Sequence, residues 1–459
     1  MGGREEAVWM ATREVRWLER EVRVWEREGL VDATTAERLV ARYAAANDTP
    51  WGRVIFGVLG ALLVGLGLIA LLAANWGDIP RDVRAAIAFA PLAFCVGLYG
   101  AGVRRGWNSR AFLEPLGVFW GLSIGAGIAL VSQTYHIPGE VESFVFTWMV
   151  LLVPVLYATQ ALAAVSGYFV GLLVWASLAQ LAGGVGLFYW PMALLAVPVI
   201  RDARRELASG IRGNLMLWSA ALCSAAALGV TLEKSLPGLW MIIYTGAFSA
   251  CFLQGMRSER SAGTLWQNPL RTLGACGLGV VLYLLIFEWP WHEIGPQHWR
   301  DTPSVHAWAT GFDYGLGITL PVAAAFLLVR VGRVLPKRVW LGATAVPVCL
   351  ACAWGAAPFV TAAAYSIAAY TASDTVPSLI MMVYLAGLGL ATLGAGLAER
   401  RLLRVNAGTV ILLAVILEKF FCSDVSFTVK GVSFMVCGCL FLVTNGVFSR
   451  RLKQAGDVS

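Results

Sequence analysis

Apolar stretches of about 15–25 residues follow one another from Trp51 to Ser449, broken by short arginine-bearing turns, and each is long enough for a spanning helix. A helix needs about 20 apolar residues to cross a hydrocarbon core of about 30 Å. Only helices and closed barrels satisfy a backbone there. The pattern therefore predicts an all-α, polytopic transmembrane helix bundle of about fourteen spans. The expected spans are 52–74, 85–103, 113–134, 144–159, 162–181, 186–200, 212–231, 236–255, 271–288, 308–329, 340–357, 376–397, 404–421 and 430–449.

Residues 1–50 differ in character. Val8, Val15, Leu18, Val22 and Trp25 recur at helical spacing and Gly29 ends the run. Thr34 with Glu37 reads as a capping box opening a second helix that carries Leu39 and Tyr43. The expectation is a small N-terminal cytoplasmic helical hairpin. Its stripe packs either back on the chain or membrane surface, or on a partner. The chain divides into this hairpin (1–50), an N-terminal membrane region (51–200) and a C-terminal membrane region (201–459) with an outer loop, 288–314. That loop carries Trp289, Trp291, Trp299 and Trp308, which read as interfacial aromatics.

Charge sets the threading. Arg104, Arg105 and Arg110 follow the second span, and Arg201, Arg204, Arg205 and Arg212 the sixth. Arg257, Arg260 and Arg271 follow the eighth, Arg330, Arg333, Lys337 and Arg338 the tenth, and Arg400, Arg401 and Arg404 the twelfth. The alternate turns, such as 135–143 and 361–378, lack basic residues. By the positive-inside rule both termini are cytoplasmic. The alternation requires a break near Gln160, where no charge marks a turn. Residues 1–50 are too polar for a cleavable signal, so the first span is expected to direct insertion.

Composition agrees: 58% of residues are hydrophobic and only 14% charged, against about a quarter charged in soluble domains. The net charge of +7 lies in turns, with no basic stripe, so nucleic acid is not an expected partner. The nine cysteines lie almost wholly in apolar segments and read as buried hydrophobes, the Cys349–Cys352 pair included. Arginine outnumbers lysine and alanine is abundant, a bias of GC-rich bacterial genomes. The expected location is the bacterial inner membrane.

Short polar elements carry a resemblance. Ala73-Ala74-Asn75-Trp76 is followed by Ile79-Pro80, and Gln133-Thr134-Tyr135-His136 by Pro138-Gly139. Glu28-Gly29-Leu30-Val31 and Ala36-Glu37-Arg38-Leu39 precede them. Together they resemble the bacterial membrane family called domain of unknown function 2157, over roughly residues 15–165. The resemblance is looser at Asn406, Glu418 and Gly438. It implies fold and location, with no established activity. It also implies a complex with small membrane-anchored proteins bearing a Gly-Asp-Tyr motif.

Under this threading Asn75, Gln133, Tyr135, His136, Glu288 and Glu418 all lie at outer helix ends. They read either as ordinary helix-end polarity or as a shared, outward-facing ligand-binding site. A buried amide is costly to leave unpaired, roughly 1–3 kcal/mol per group, which favours convergence of Asn75, Gln133 and His136. His136, His292, His298 and His306 match no metal-ligand spacing, so no metal and no cofactor is expected. Gly121-Leu122-Ser123-Ile124-Gly125 spells a nucleophile elbow, yet it lies mid-helix with no histidine near. Gly117, Gly121 and Gly125 instead form a helix-packing ridge. No complete catalytic set appears, so no enzyme is expected. Two readings remain: a scaffold or sensor-type component of a membrane complex, or a transporter or channel-like protein with an outward polar cavity.

Overall fold

A computed structural model of the chain describes residues 21–38, 51–74, 80–205, 210–232, 238–257, 267–292, 294, 307–334 and 345–422, with isolated positions from 428 to 439. Every regular element among them is a helix. In sequence they are α1 (21–27), α2 (33–38), α3 (Trp51–Ala74), α4 (Arg81–Arg104), α5 (Arg110–Tyr135), α6 (Val141–Thr159), α7 (Leu162–Leu181) and α8 (Tyr189–Arg205). There follow α9 (Gly210–Thr231), α10 (Leu239–Arg257), α11 (Pro269–Leu284), the single turn α12 (Trp289–His292), α13 (Ala307–Val334), α14 (Ala345–Thr371), α15 (Thr375–Ala398) and α16 (Leu402–Cys422).

Among the described residues, eight helices are long and apolar enough to cross a membrane: α4, α5, α6, α7, α9, α10, α13 and α15. The described apolar parts of α3 and α11 are shorter than 18 residues, and the last expected span, 430–449, falls almost wholly outside the described residues. Large apolar side chains such as Phe56, Leu63, Leu194, Ile318 and Leu390 lie exposed on the helices. Lipid, as apolar as the core, is the solvent that tolerates them.

The chain forms two compact units, one of residues up to 172 with 191–216, the other of 173–190 with 217 onwards. In the first unit α5 is the hub and packs on α3, α4 and α6. Gly57 of α3 backs onto Pro115 and Gly65 onto Leu122, so α3 and α5 run the same way. Gly102 of α4 faces Phe112, and Gly127 of α5 faces Ala88, so α4 runs opposite. Gly117, Gly121 and Gly125 all face the α6–α7 segment. A Cβ at Gly117 would stand 2.7 Å from Ala161, at Gly121 3.1 Å from Leu152, and at Gly125 2.6 Å from the Trp148 ring. The Trp148 indole N–H donates to the Gly121 carbonyl at 2.7 Å, a backbone acceptor that only a side-chain-free approach exposes.

In the second unit α10 is the hub, packing on α11, α13 and α14, while α15 pairs with α14 and α16. Its core gathers Phe252, Leu278, Leu282, Trp291, Trp354, Met381 and Leu385. Gly274 admits the α10 backbone near Phe252, and Gly408 admits the α15 backbone near Leu393.

At the N-terminus, Val22 and Ala36 are buried. The turn between α1 and α2 passes through Gly29 at φ +71°, a conformation that glycine adopts freely. The expected capping box at Thr34 is not the cap used. Asp32 is: its carboxylate accepts from the Thr35 N–H at 3.2 Å and from the Thr34 and Thr35 hydroxyls. A carboxylate at a helix N-terminus also meets the positive end of the dipole. Leu39 and Tyr43, and the stripe at Val8, Val15 and Leu18, lie outside the described residues.

These contacts generate two predictions. Gly125→Leu drives a branched side chain into Trp148 and is expected to destabilise by about 1–3 kcal/mol. Thermal unfolding in detergent should show it; an unchanged Tm with full folded yield would take Gly125 out of the interface. The second concerns pH. Hydroxyl hydrogen bonds from Thr34 and Thr35 lower the Asp32 pKa from 3.8 to about 2. A depressed carboxylate supports the fold above its unfolded pKa and loses that support as pH falls through the folded value. Amide signals of 33–38 should therefore hold at pH 4 and fade towards about 2, with the Asp32 carboxyl carbon titrating alongside. A midpoint near 4 would contradict the cap.

Candidate functional site

Among the described residues of the first unit, the most heavily buried charges meet where four helix ends converge: the starts of α5, α7 and α9 and the end of α6. Glu114, in the second turn of α5, and Arg212, in the first turn of α9, are each only 5–6% exposed. Arg212 Nε lies 3.8 Å from Glu114 Oε1. The same carboxylate oxygen accepts from the Leu162 N–H at 2.9 Å. That N–H belongs to the first turn of α7, where helix donors have no partner within the helix. At the other side of the turn, Arg212 donates to the Gln160 carbonyl at 2.8 Å and Arg110 to the Thr159 carbonyl at 3.3 Å. Thr159 adds its own hydroxyl, which donates to Val155 and accepts from the Ala161 N–H.

The chemistry of this cluster is backbone satisfaction. Between α6 and α7 the chain reverses at Gln160, which sits at φ +48°. The left-handed conformation costs a non-glycine residue roughly 1–2 kcal/mol, and the turn's carbonyls and N–H groups would otherwise be buried without partners. A carboxylate from α5 answers the exposed donor, and guanidiniums from α5 and α9 answer the exposed acceptors. The break near Gln160 that charge alternation demands is present. It lies at the same end of the unit as the basic turns that supply Arg110 and Arg212.

The expected site residues are placed as follows. Asn75 lies outside the described residues. Gln133, Tyr135 and His136 are exposed at the opposite end of α5. His136, at φ 51°, is the left-handed cap of α5, its N–H donating to the Ser132 carbonyl, so its backbone ends the helix. Glu288 and Glu418 belong to the second unit. Glu288 is exposed and its carbonyl accepts the Trp291 N–H at 2.9 Å. Glu418 is buried in α16 at 6% exposure.

In the loop after α11 one tryptophan departs from the interfacial reading. Trp291 is fully buried and its ring N–H donates to the Leu285 carbonyl at 3.0 Å. Enclosed by apolar neighbours and with its one donor satisfied, the indole gains more in the core than at the interface. Trp289 and Trp308 remain exposed, and Trp299 lies outside the described residues. His292 places Nδ1 2.5 Å from an Asp374 carboxylate oxygen, and Ser378 donates to the Ile286 carbonyl at 2.7 Å. These two contacts tie the start of α15 to α12 and to the segment just after α11. Among the described residues no three His, Cys, Asp or Glu side chains gather as a metal site would need.

Glu114 escaped the sequence reading, and its signal was there: it is the one acidic residue of α5 and stands among the apolar Phe112, Leu113, Pro115 and Leu116. Arg212 appeared only as a member of a basic turn. Nothing in the linear chain pairs residues 98 positions apart.

The helices and their exposed apolar faces define a helical membrane protein. Residues 23–165 match the model of the family described as "Predicted membrane protein (DUF2157)", the family to which the elements around Trp76 and His136 point. The match runs from α1 to the first turn of α7. It takes in Glu114 and Gln160 and stops short of Arg212. No curated protein and no solved structure matches the chain.

Arg212→Met removes one partner and leaves Glu114 buried beside a turn it no longer balances. The expected loss is about 3–5 kcal/mol, with a correspondingly lower unfolding temperature. Glu114→Leu combined with Arg212→Met is expected to lose less than the sum of the two single changes. Strict additivity would mean that the pair is not coupled.

Proposed function

We propose that this chain is a scaffold or sensor-type component of a bacterial inner-membrane complex, threaded about fourteen times with both termini in the cytoplasm. The observation that supports this reading is the use made of buried charge in the first unit. Glu114 and Arg212 serve the turn at Gln160, bonding the backbone of α6 and α7. A coupled carrier usually keeps ionisable groups in mid-span to bind its substrate or ion. The reading includes no catalytic step and no cofactor.

The partner surface in this proposal is the N-terminal helical hairpin, built on α1 and α2. Leu30 stands 69% exposed at its turn, a position open to a membrane-anchored companion. The companion is taken to be a small membrane-anchored protein, as the family resemblance implies.

A second reading, a transporter or channel-like protein, has its own supporting observation in the second unit. The hydroxyls of Thr361, Tyr365 and Tyr384 are buried without a hydrogen-bond partner among the described residues, and Asp313 and Glu418 are buried in the same unit. Such groups commonly line a polar path.

One experiment separates the two. A photo-crosslinking residue at Leu30, in the full chain in its native membrane, should trap one discrete membrane-anchored protein. Purified chain in liposomes should pass ions no faster than empty vesicles. Saturable flux without a discrete adduct would replace the scaffold reading with the transporter.

A further inference from the structure

The turn between α4 and α5 carries two arginines that do no work for the fold. Its backbone closes on itself. The Arg105 N–H donates to the Ala101 carbonyl at 3.0 Å, the Gly106 N–H to Val103 at 3.2 Å and the Trp107 N–H to Gly102 at 2.8 Å. Gly106 makes the left-handed step, at φ +72°. The carbonyls of Ala101, Gly102 and Val103 are thus met by backbone, so neither Arg104 nor Arg105 is needed to cap α4. Both residues are exposed, and among the described residues neither guanidinium has a hydrogen bond or an ion pair. The carboxylates of the adjoining helix ends are engaged elsewhere, Glu114 with Arg212 and the Leu162 N–H, Asp202 with Arg205.

Arg105 is nevertheless held in place. Gly102 is buried, and a Cβ on it would stand 2.8 Å from the Phe112 ring, so the glycine is what admits that ring. Phe112 meets the Trp107 ring edge-on, with 5.6 Å between centroids. The guanidinium carbon of Arg105 lies 5.3 Å from the centre of the Trp107 ring. A guanidinium resting on an aromatic face keeps its N–H edge open, and that edge fits phosphate oxygens two at a time. From this platform one apolar stripe runs along α4, a helix long and apolar enough to cross a membrane. Phe89, Val96 and Val103 recur every seven residues and are each more than half exposed. Nothing lies within 4 Å of where a Cβ on Gly100 would stand, so the stripe is open there. Val96 lies about 10 Å from Val103 along the helix, inside the roughly 15 Å depth of one leaflet. Two cations and an indole at the head of an apolar stripe match a molecule with a phosphate at one end and an acyl chain at the other.

We propose that Arg104, Arg105 and Trp107 form a binding site for the phosphate of an anionic phospholipid whose acyl chain lies along Val103, Gly100 and Val96. Trp107 positions Arg105, and Arg104 adds the second charge. The pairing of charge with apolar surface selects the occupant: a free anion has no use for the stripe, and an uncharged lipid has none for the arginines. The inference does not rest on the scaffold reading and holds equally for a transporter.

The test uses the full chain, delipidated in detergent, with binding followed by native mass spectrometry. The probes are phosphatidylglycerol, phosphatidylcholine and inorganic phosphate. Wild type is expected to bind phosphatidylglycerol at least about tenfold more tightly than phosphatidylcholine. Arg104→Gln with Arg105→Gln should weaken phosphatidylglycerol about thirtyfold and leave phosphatidylcholine unchanged. Trp107→Leu keeps both charges and removes the platform, with an expected loss of about threefold; it also serves where the glutamine pair fails to fold. Arg81→Gln, at the opposite end of α4 beside Asp82, should change nothing. Equal binding of the two lipids by wild type, undiminished phosphatidylglycerol affinity in either folded variant, or an equal loss in Arg81→Gln overturns the site. Inorganic phosphate that binds tightly and displaces phosphatidylglycerol assigns the arginines to a free anion and overturns the lipid.

Discussion

The first unit depends on how an apolar environment treats a chain reversal. The helix ends at Thr159 and Leu162 present carbonyls and N–H groups with no partner inside their own helices. Glu114, Arg110 and Arg212 meet them, from a preceding helix and from one that follows much later in the chain. Without these groups the turn at Gln160 would combine a left-handed backbone with unpaired polar groups. With them, the ends of four helices are registered against one another. The net stability of a buried pair of this kind is small, because desolvation offsets most of the attraction. Its effect is selective: alternative registers leave charge unpaired.

The glycines of α5 work together with this junction. Gly117, Gly121 and Gly125 are spaced four apart and so fall along one face of the helix. The packing they permit brings α6 close enough for Trp148 to bond the Gly121 carbonyl. Gly117 lies against Thr159 and Ala161, the residues on either side of the reversal. Close packing and polar closure thus meet at one place. In lipid, where apolar burial gives little drive for helices to associate, small residues and polar ties are the forces left.

The two units use arginine differently. In the first, Arg212 is buried, lies 3.8 Å from the Glu114 carboxylate and donates to the Gln160 carbonyl. In the second, Arg401 is half exposed, Arg404 less so, and the two share a single glutamate. Both groups come from turns that a charge-based threading treats alike. Burial separates Arg212, whose guanidinium ties backbone together, from Arg401, whose side chain is more than half exposed.

Much of the architecture was legible along the chain. Apolar runs identify helices because a membrane permits little else, and the boundaries found at Tyr135, Thr159 and Thr231 fall close to those expected from hydropathy. The spacing of Gly117, Gly121 and Gly125 reveals a packing face because helical periodicity is local. The pairing of Glu114 with Arg212, the burial of Trp291 and the contact of His292 with Asp374 were not legible. Each joins residues far apart in sequence, or turns on whether a ring faces core or lipid, and an apolar pattern reads the same in both cases. Hydropathy records the solvent a segment prefers. Which polar group answers another across the bundle depends on the distances that folding sets, so only the packed helices could reveal it.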